Sequence, residues 1–446
     1  MSWPHGADMT WHRSMRLLSL LPVLAATMCA MPVSVAHAQD VDLIKKGAYV
    51  AILGDCAACH TARNGQAMAG GLPLQSPMGA IYSTNITPDH ETGIGAWSFG
   101  DFARLMRRGI KKDGSSVYPA MPYPSYSNMT DQDLYALYAY LMGSVKPVKL
   151  QNRPTDISWP MSMRGPLSLW RMAFAGKPVP TVSSEEQNSL VARGRYLVEG
   201  LGHCGSCHTP RNFAFAEKAR TAAEGPQYLS GGFVVDNWVA PSLRSDDVGG
   251  LSDWTSEDIV AFLKTGRNMK GSTFGAMNSV VVHSTSVTND RDLAAVAAFL
   301  KTLGSSEGQI IAHYHYDDTV SKQLYAGHMP SEGARIYVDR CAACHRTDGH
   351  GYPNVFPPIA GNPVLQGSDE TSIAHIILNG SRLPSVDAAL SSLVMAPYRG
   401  ILNDRQVADL VTFIGHSWGN HGAEMTEAQV AKIRLATKDE KIPAGE

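Results

Sequence analysis

The chain of 446 residues is 44% hydrophobic and 17% charged, with 38 Lys plus Arg against 40 Asp plus Glu and a formal net charge of −2. That balance excludes the basic footprint of a nucleic-acid binder, and the apolar content excludes a disordered chain. Length predicts about two to four domains, and 41 Gly with 26 Pro predict short helices joined by long ordered loops.

Residues 1–38 read as a secretory signal peptide. Arg13 and Arg16 supply a positive start, residues 17–30 an apolar stretch, and Ala36-His37-Ala38 a small-residue cleavage site. Cleavage before Gln39 removes Cys29 and leaves six of the seven cysteines. The mature part has no run of 18 uninterrupted apolar residues, so no transmembrane helix is expected.

The first unit is expected over 39–145. An opening helical pattern carries Gly47 and Tyr49, and Cys56-Ala-Ala-Cys59-His60 follows. A second helix is predicted from Trp97 through Phe102 to a Gly109 stop. The closing helix starts at Thr130 with Asp133 three residues on, a capping-box signal, and sets Leu134, Leu137, Tyr138 and Leu141 on one face.

Residues 146–189 read as a linker, because Pro147, Pro154, Pro160, Pro166, Pro178 and Pro180 prevent one continuous helix. Residues 159–174 of this stretch are rich in Trp and Met. They read either as a strap over a domain junction or as a patch for a partner or a membrane surface.

The second unit, 190–303, repeats the order. Gly194 and Tyr196 precede Cys204-Gly-Ser-Cys207-His208, Trp254 to Gly266 form the second helix, and Asn289 with Asp292 opens the closing helix bearing Leu293, Val296 and Leu300. A linker at 304–331 leads to the third unit, 332–420. There Gly333 and Tyr337 precede Cys341-Ala-Ala-Cys344-His345, a weaker second helix runs from Ser368 to Gly380, and Asn403 with Gln406 opens a helix bearing Val407, Leu410, Val411 and Ile414. Residues 421–446 read as a tail.

The motif carries the chemistry. Two thiols three residues apart can add to the two vinyl groups of one haem, with the adjoining His beneath the iron. Composition predicts only ~0.004 such pentapeptides by chance, and there are three. Zinc would need two such pairs close together, and a redox dithiol would need a βαβ setting; neither pattern is present. Cys56, Cys59, Cys204, Cys207, Cys341 and Cys344 are therefore expected to hold three covalent haem c groups, with His60, His208 and His345 as proximal ligands. The fold class expected is all-α: three tandem cytochrome c-like domains with long loops and Pro-rich linkers.

The repeat frame also nominates the sixth ligands. Met121, Met277 and Met395 fall 12, 11 and 15 residues after the second-helix glycine, with Met129 as the rival in the first unit. Pro357-Pro358 resembles the loop whose carbonyl orients a proximal His, and His203, just before Cys204, is a candidate haem neighbour.

Several longer segments carry a family resemblance: Gly-Gly-Leu-Pro at 70–73, residues 81–88, Tyr118-Pro-Ala-Met-Pro-Tyr-Pro124, residues 156–163, Gly202-His-Cys-Gly-Ser-Cys-His-Thr-Pro-Arg211, Ala240-Pro-Ser-Leu-Arg244, residues 283–285 and 360–364. They resemble the trihaem cytochrome c subunits of membrane-bound sugar-acid and alcohol dehydrogenases. Within that family the chain is most similar to the gluconate 2-dehydrogenase cytochrome subunits, especially around residues 341–348. Met395-Ala-Pro departs from the usual Met-Pro of relatives, and the chain ends sooner after Trp418-Gly-Asn420 than the alcohol dehydrogenase type does.

The resemblance implies an electron-transfer subunit at the periplasmic face of the cytoplasmic membrane. Its partners would be a flavin- or pyrroloquinoline-quinone-dependent catalytic subunit, optionally a small third subunit, and ubiquinone. No G-x-G-x-x-G opens a helix, so no nucleotide site or substrate chemistry of its own is expected. A free periplasmic multihaem shuttle is the alternative. A haem peroxidase would need an open iron, whereas the frame offers a Met in each copy.

Overall fold

The computed structural model describes residues 31–76, 78–176, 188–235, 237–246, 250–306, 313–367, 369–389 and 391–440. The expected signal segment up to residue 30 with Cys29, then Pro178, Pro180 and Ser368, lie outside the described residues. The chain is largely helical. Its strands are two to four residues long: an antiparallel set of Pro73–Leu74, Gly79–Tyr82 and Asp156–Ile157, and two hairpins, Val234–Val235 with Trp238–Val239 and Ser381–Arg382 with Val394–Met395.

One helix crossing recurs three times. The opening helices Met31–Leu53, Leu190–Tyr196 and Glu332–Arg340 pack across the closing helices Asp131–Gly143, Asp290–Leu300 and Asp404–Gly415. The reason lies in Gly47, Gly194 and Gly333. A Cβ there would sit 1.9 Å from Ala136 O, 1.9 Å from Ala295 O and 2.1 Å from Asp409 O. Only a residue without a side chain lets the backbones approach this closely.

The closing helices bury the faces their periodicity predicts: Leu134, Leu137 and Leu141; Leu293 and Leu300; Val407, Leu410, Val411 and Ile414. Each fully buried aliphatic side chain contributes roughly 1.5–3 kcal/mol of transfer free energy. The second helices Phe99–Arg108, Ser256–Thr265 and Thr371–Asn379 lie where the sequence puts them, and the first two stop at left-handed Gly109 and Gly266. Gly194 stands one residue further from its motif than Gly47 does, and a π-helical turn at Leu197–Leu201 takes up the extra residue.

Each repeat has its own apolar cluster, which takes in Leu134 in the first, Leu300 in the second and Val407 in the third. The first also takes in Tyr196, Leu197 and Leu201 of the second repeat, so the first two share buried surface.

The connecting stretches are structured. In 146–189, Asp156–Ile157 pairs with Gly79–Tyr82, and the helix Gly165–Phe174 is tied to the second repeat by Trp170 Nε1 donating to Ala214 O at 2.7 Å and Arg220 Nη1 donating to Ala175 O at 2.8 Å. In 304–331, Thr319–Tyr325 is helical, and Asp317 N donates to Trp418 O at 3.3 Å. The stretch 421–446, set apart as a tail, contains the helix Glu427–Ala436, whose Val430 and Ile433 are buried in the third cluster. That cluster therefore extends past residue 420. Among the described residues no helix is long and apolar enough to cross a membrane.

Candidate functional site

All three motifs lie on short helices, Cys56–His60, Gly205–His208 and Ala342–His345. In each, the histidine Nδ1 bonds a backbone carbonyl: His60 to Thr84 O at 2.7 Å, His208 to Pro241 O at 2.8 Å and His345 to Pro357 O at 3.0 Å. A carbonyl only accepts, so the proton sits on Nδ1 and Nε2 keeps its lone pair. Burial lowers the pKa of all three imidazoles, against the opposite pull of the carbonyl bond. A neutral ring held by its second nitrogen is the form in which histidine ligates a metal.

A glycine holds the backbone of each histidine. Gly70 N, Gly231 N and Gly351 N donate to the carbonyls of His60, His208 and His345 at 2.7, 2.7 and 3.0 Å. Their φ values are 74°, 76° and 60°, in the left-handed region glycine tolerates. A Cβ would lie within 2.7 Å of backbone in all three, against Thr84, against Pro241 and Ser242, and against Phe356 and Pro357. The same loops thus supply both the carbonyl that orients the ring and the wall that admits only glycine. The proline loop at 357–358 was readable in sequence; the matching roles of Thr84 and Pro241 were not, although both lie within the segments quoted above.

No disulfide forms among the described cysteines. Burial pushes the Cys56, Cys204 and Cys341 thiols up to about 12. Asp55, immediately before Cys56, adopts φ 49°, and burial raises its carboxyl to about 8. Paired thiols beside an imidazole with a directed Nε2 fit haem c at each motif.

The three nominated methionines lie at chain turns or element edges. Met121 is half-buried against the first cluster, in a turn where its N–H donates to Tyr118 O at 3.2 Å. Met277 sits half-buried in the first turn of Ala276–His283, and Met395 lies opposite Ser381 in the third-repeat hairpin. Met129 is wholly buried in the first cluster, as a core residue would be. The second and third of these loops adjoin, since Asn278 Nδ2 donates to Arg382 O at 2.9 Å. His203 lies against the first repeat, its ring edge-on to Tyr126 at 5.6 Å and its side chain bonded to Gly54 O.

A cytochrome c family model matches residues 44–144 and 330–418. The chain is 50% identical over 408 residues to the cytochrome c subunit of a quinone alcohol dehydrogenase from Gluconacetobacter polyoxogenes, covering 90% of this chain and 86% of that one. It belongs to the family of dehydrogenase cytochrome c subunits. The gluconate 2-dehydrogenase cytochrome c subunit of Pantoea cypripedii is 45% identical over 429 residues, covering 96% of both chains. The fructose dehydrogenase cytochrome subunit of Gluconobacter japonicus is 35% identical over 422 residues, covering 89% of this cytochrome and 83% of that one. Identity is thus higher to the alcohol dehydrogenase subunit, and coverage is greater for the gluconate type. Cytochrome c domains carry covalent haem c, which agrees with the donor set at the motifs.

Proposed function

We propose that this cytochrome carries three haem c groups, one in each of three tandem domains, and passes electrons from a catalytic dehydrogenase subunit to ubiquinone at the periplasmic face of the membrane. The observation that carries this reading is the threefold repetition of one cradle, in which a carbonyl and a glycine fix the histidine of every motif. Each haem, when bound, supplies a one-electron iron couple. The cysteine pairs anchor it, and His60, His208 and His345 present Nε2 to it. Met121, Met277 and Met395 serve as sixth ligands, and thioether ligation raises the potential relative to a second histidine.

The relatives' names, cytochrome subunits of alcohol, gluconate 2- and fructose dehydrogenases, support a catalytic dehydrogenase partner; that this partner uses flavin or pyrroloquinoline quinone is part of the proposal. A signal peptide ending at Ala38 accounts for export, and the Pro-rich stretch 146–189 and the stretch 304–331 join the domains.

Membrane attachment is assigned to the strap. Trp159, Leu169 and Met172 are 78%, 66% and 70% exposed, while Trp170 and Phe174, on the other face of the helix, pack toward Ala214 and Phe213 of the second repeat. Arg164 and Arg171 border it in the sequence, the Arg164 guanidinium lying over the Tyr118 ring at 4.1 Å. The deciding experiment is pyridine haemochromogen quantitation with intact mass. Three haems that stay on the chain after acid–acetone extraction support the reading. Two haems, or extractable haem, overturn it.

A further inference from the structure

The closing helices of the first two repeats are capped in an unexpected way. Thr130 Oγ1 accepts from Asp133 N at 3.1 Å, and Asn289 Oδ1 accepts from Asp292 N at 2.8 Å, but neither acid returns to its own cap backbone. Instead Thr130 N donates to Tyr196 Oη at 3.2 Å and Asn289 N donates to Tyr49 Oη at 3.3 Å. Each hydroxyl then donates to the acid of that cap, Tyr196 to Asp133 Oδ2 at 2.6 Å and Tyr49 to Asp292 Oδ2 at 2.8 Å. Tyr49 and Asp133 belong to the first repeat, Tyr196 and Asp292 to the second. Each cap is therefore completed by a tyrosine from the other repeat.

The exchange is reciprocal because the positions are equivalent. Both tyrosines stand two residues after the crossing glycine, and Lys46 and Arg193 both stand one before it. Lys46 Nζ lies 2.7 Å from Asp133, and Arg193 Nε and Nη2 donate to Asp292 at 2.8 and 2.9 Å. Each acid thus has a cation from its own repeat and a phenol from the other. Such a contact, made twice with roles exchanged, is the mark of an isologous twofold interface. Burial raises both phenols above the ordinary tyrosine range, so they stay protonated donors. Burial opposes ionisation of Asp292, but the Arg193 bonds and charge prevail and hold its carboxyl below the usual range.

The third repeat lacks every part of this device. The matching positions are Glu332, Arg335 and Gln406. Asn403 and Gln406 close their cap reciprocally, and Arg335 pairs with Glu332 and Asp339 of its own helix.

The attachment segments of the first two repeats meet on the same interface. Tyr126 Oη donates to Gly54 O at 2.8 Å while its ring meets His203, and Asn128 Nδ2 donates to Glu199 O at 3.2 Å. The helix Ala276–His283 packs on Cys56–His60.

We propose that the first two repeats form a pseudo-twofold pair whose crossed Tyr–Asp latches fix the distance between the first and second haem-attachment segments. Tyr49, Tyr196, Asp133 and Asp292 are then positioning residues for the coupling of those two haems, and the third is coupled separately. The electronic part rests on the three-haem reading above; the latch itself does not.

Tyr49→Phe and Tyr196→Phe in the full-length holoprotein separate the two. Hydrogen exchange reads the latch. Tyr49→Phe should speed exchange of the 289–293 amides about tenfold or more, and Tyr196→Phe that of the 130–134 amides, each in the repeat that was not altered. Faster exchange confined to the altered repeat overturns the latch. In potentiometric titration of the double variant, two of three midpoint potentials should move and one stay. Three unmoved potentials, a common shift of all three, or a shift of one alone overturns the coupling. A haem count below three refutes the functional reading, and the exchange data then still decide the latch.

Discussion

Replacing Gly194 with Ala sets two effects against each other. In a helix interior Ala is favoured over Gly by about 0.8–1.0 kcal/mol, so propensity predicts stabilisation. The structure predicts the reverse. The new Cβ would stand 1.9 Å from Ala295 O and 2.8 Å from Phe299 Cβ, in the middle of the crossing with Asp290–Leu300. Relief requires the helices to separate by roughly an ångström, which loosens contacts of the buried Leu293, Phe299 and Leu300. Overpacking of this kind costs roughly 1–3 kcal/mol and more when the obstacle is backbone. A net loss of about 2 kcal/mol follows, equivalent to a fall of about 10 °C in the midpoint for a domain of this size.

Thermal unfolding of the purified cytochrome, followed by far-ultraviolet circular dichroism and by Soret absorbance, measures it. Gly100→Ala is the control, because that exposed helical glycine has nothing closer than 3.7 Å to the added Cβ. It should be neutral or slightly stabilising. If Gly194→Ala proves as stable as the parent, the crossing does not depend on backbone approach, and the argument fails for Gly47 and Gly333 as well.

With Met277 as a sixth ligand, as proposed, Met277→Ala should convert one haem of the proposed three to a high-spin or ligand-binding form, visible in the ferric spectrum. Met129→Leu should leave all three unchanged, since Met129 is wholly buried in the core. Glu370 is buried with Oε2 unbonded, and burial raises its carboxyl from 4.5 to about 7. A raised carboxyl costs nothing while both states are protonated. The cost grows between pH 4.5 and 7 and levels off above, at most about 3 kcal/mol. Glu370→Gln should therefore raise the midpoint in calorimetry at pH 8 and leave it unchanged at pH 4. Replacing Trp159, Leu169 and Met172 by Ser should release the complex from membranes with haem content intact; retention on the membrane would place attachment elsewhere.

Local pattern made much of this molecule legible. The motifs keep one covalent spacing and the closing-helix faces one helical period, while the crossing glycines recur in the same order at 9, 10 and 8 residues before the first motif cysteine. What escaped were partners chosen across distance. The Asp133 and Asp292 spacing correctly marked a helix start, yet nothing local shows that both carboxylates are engaged by the other repeat's tyrosine. Thr84 and Pro241 hold histidines 24 and 33 residues away, and no composition signal marks a carbonyl. The helix Glu427–Ala436 lies beyond the last repeated element, so the repeat pattern does not mark it, although Val430 and Ile433 complete a core begun about a hundred residues earlier.

That last helix has a consequence for how the molecule matures. A chain emerges from its N-terminus onward. The thiols of Cys341 and Cys344 are therefore presented well before Val430 and Ile433 arrive to cover the third core, and before Glu440 reaches His375 and Asn237. The first two repeats can close on one another while the third is still open. The third core is thus complete only when the C-terminal helix docks, and a bulky fusion placed after residue 440 would delay that last step.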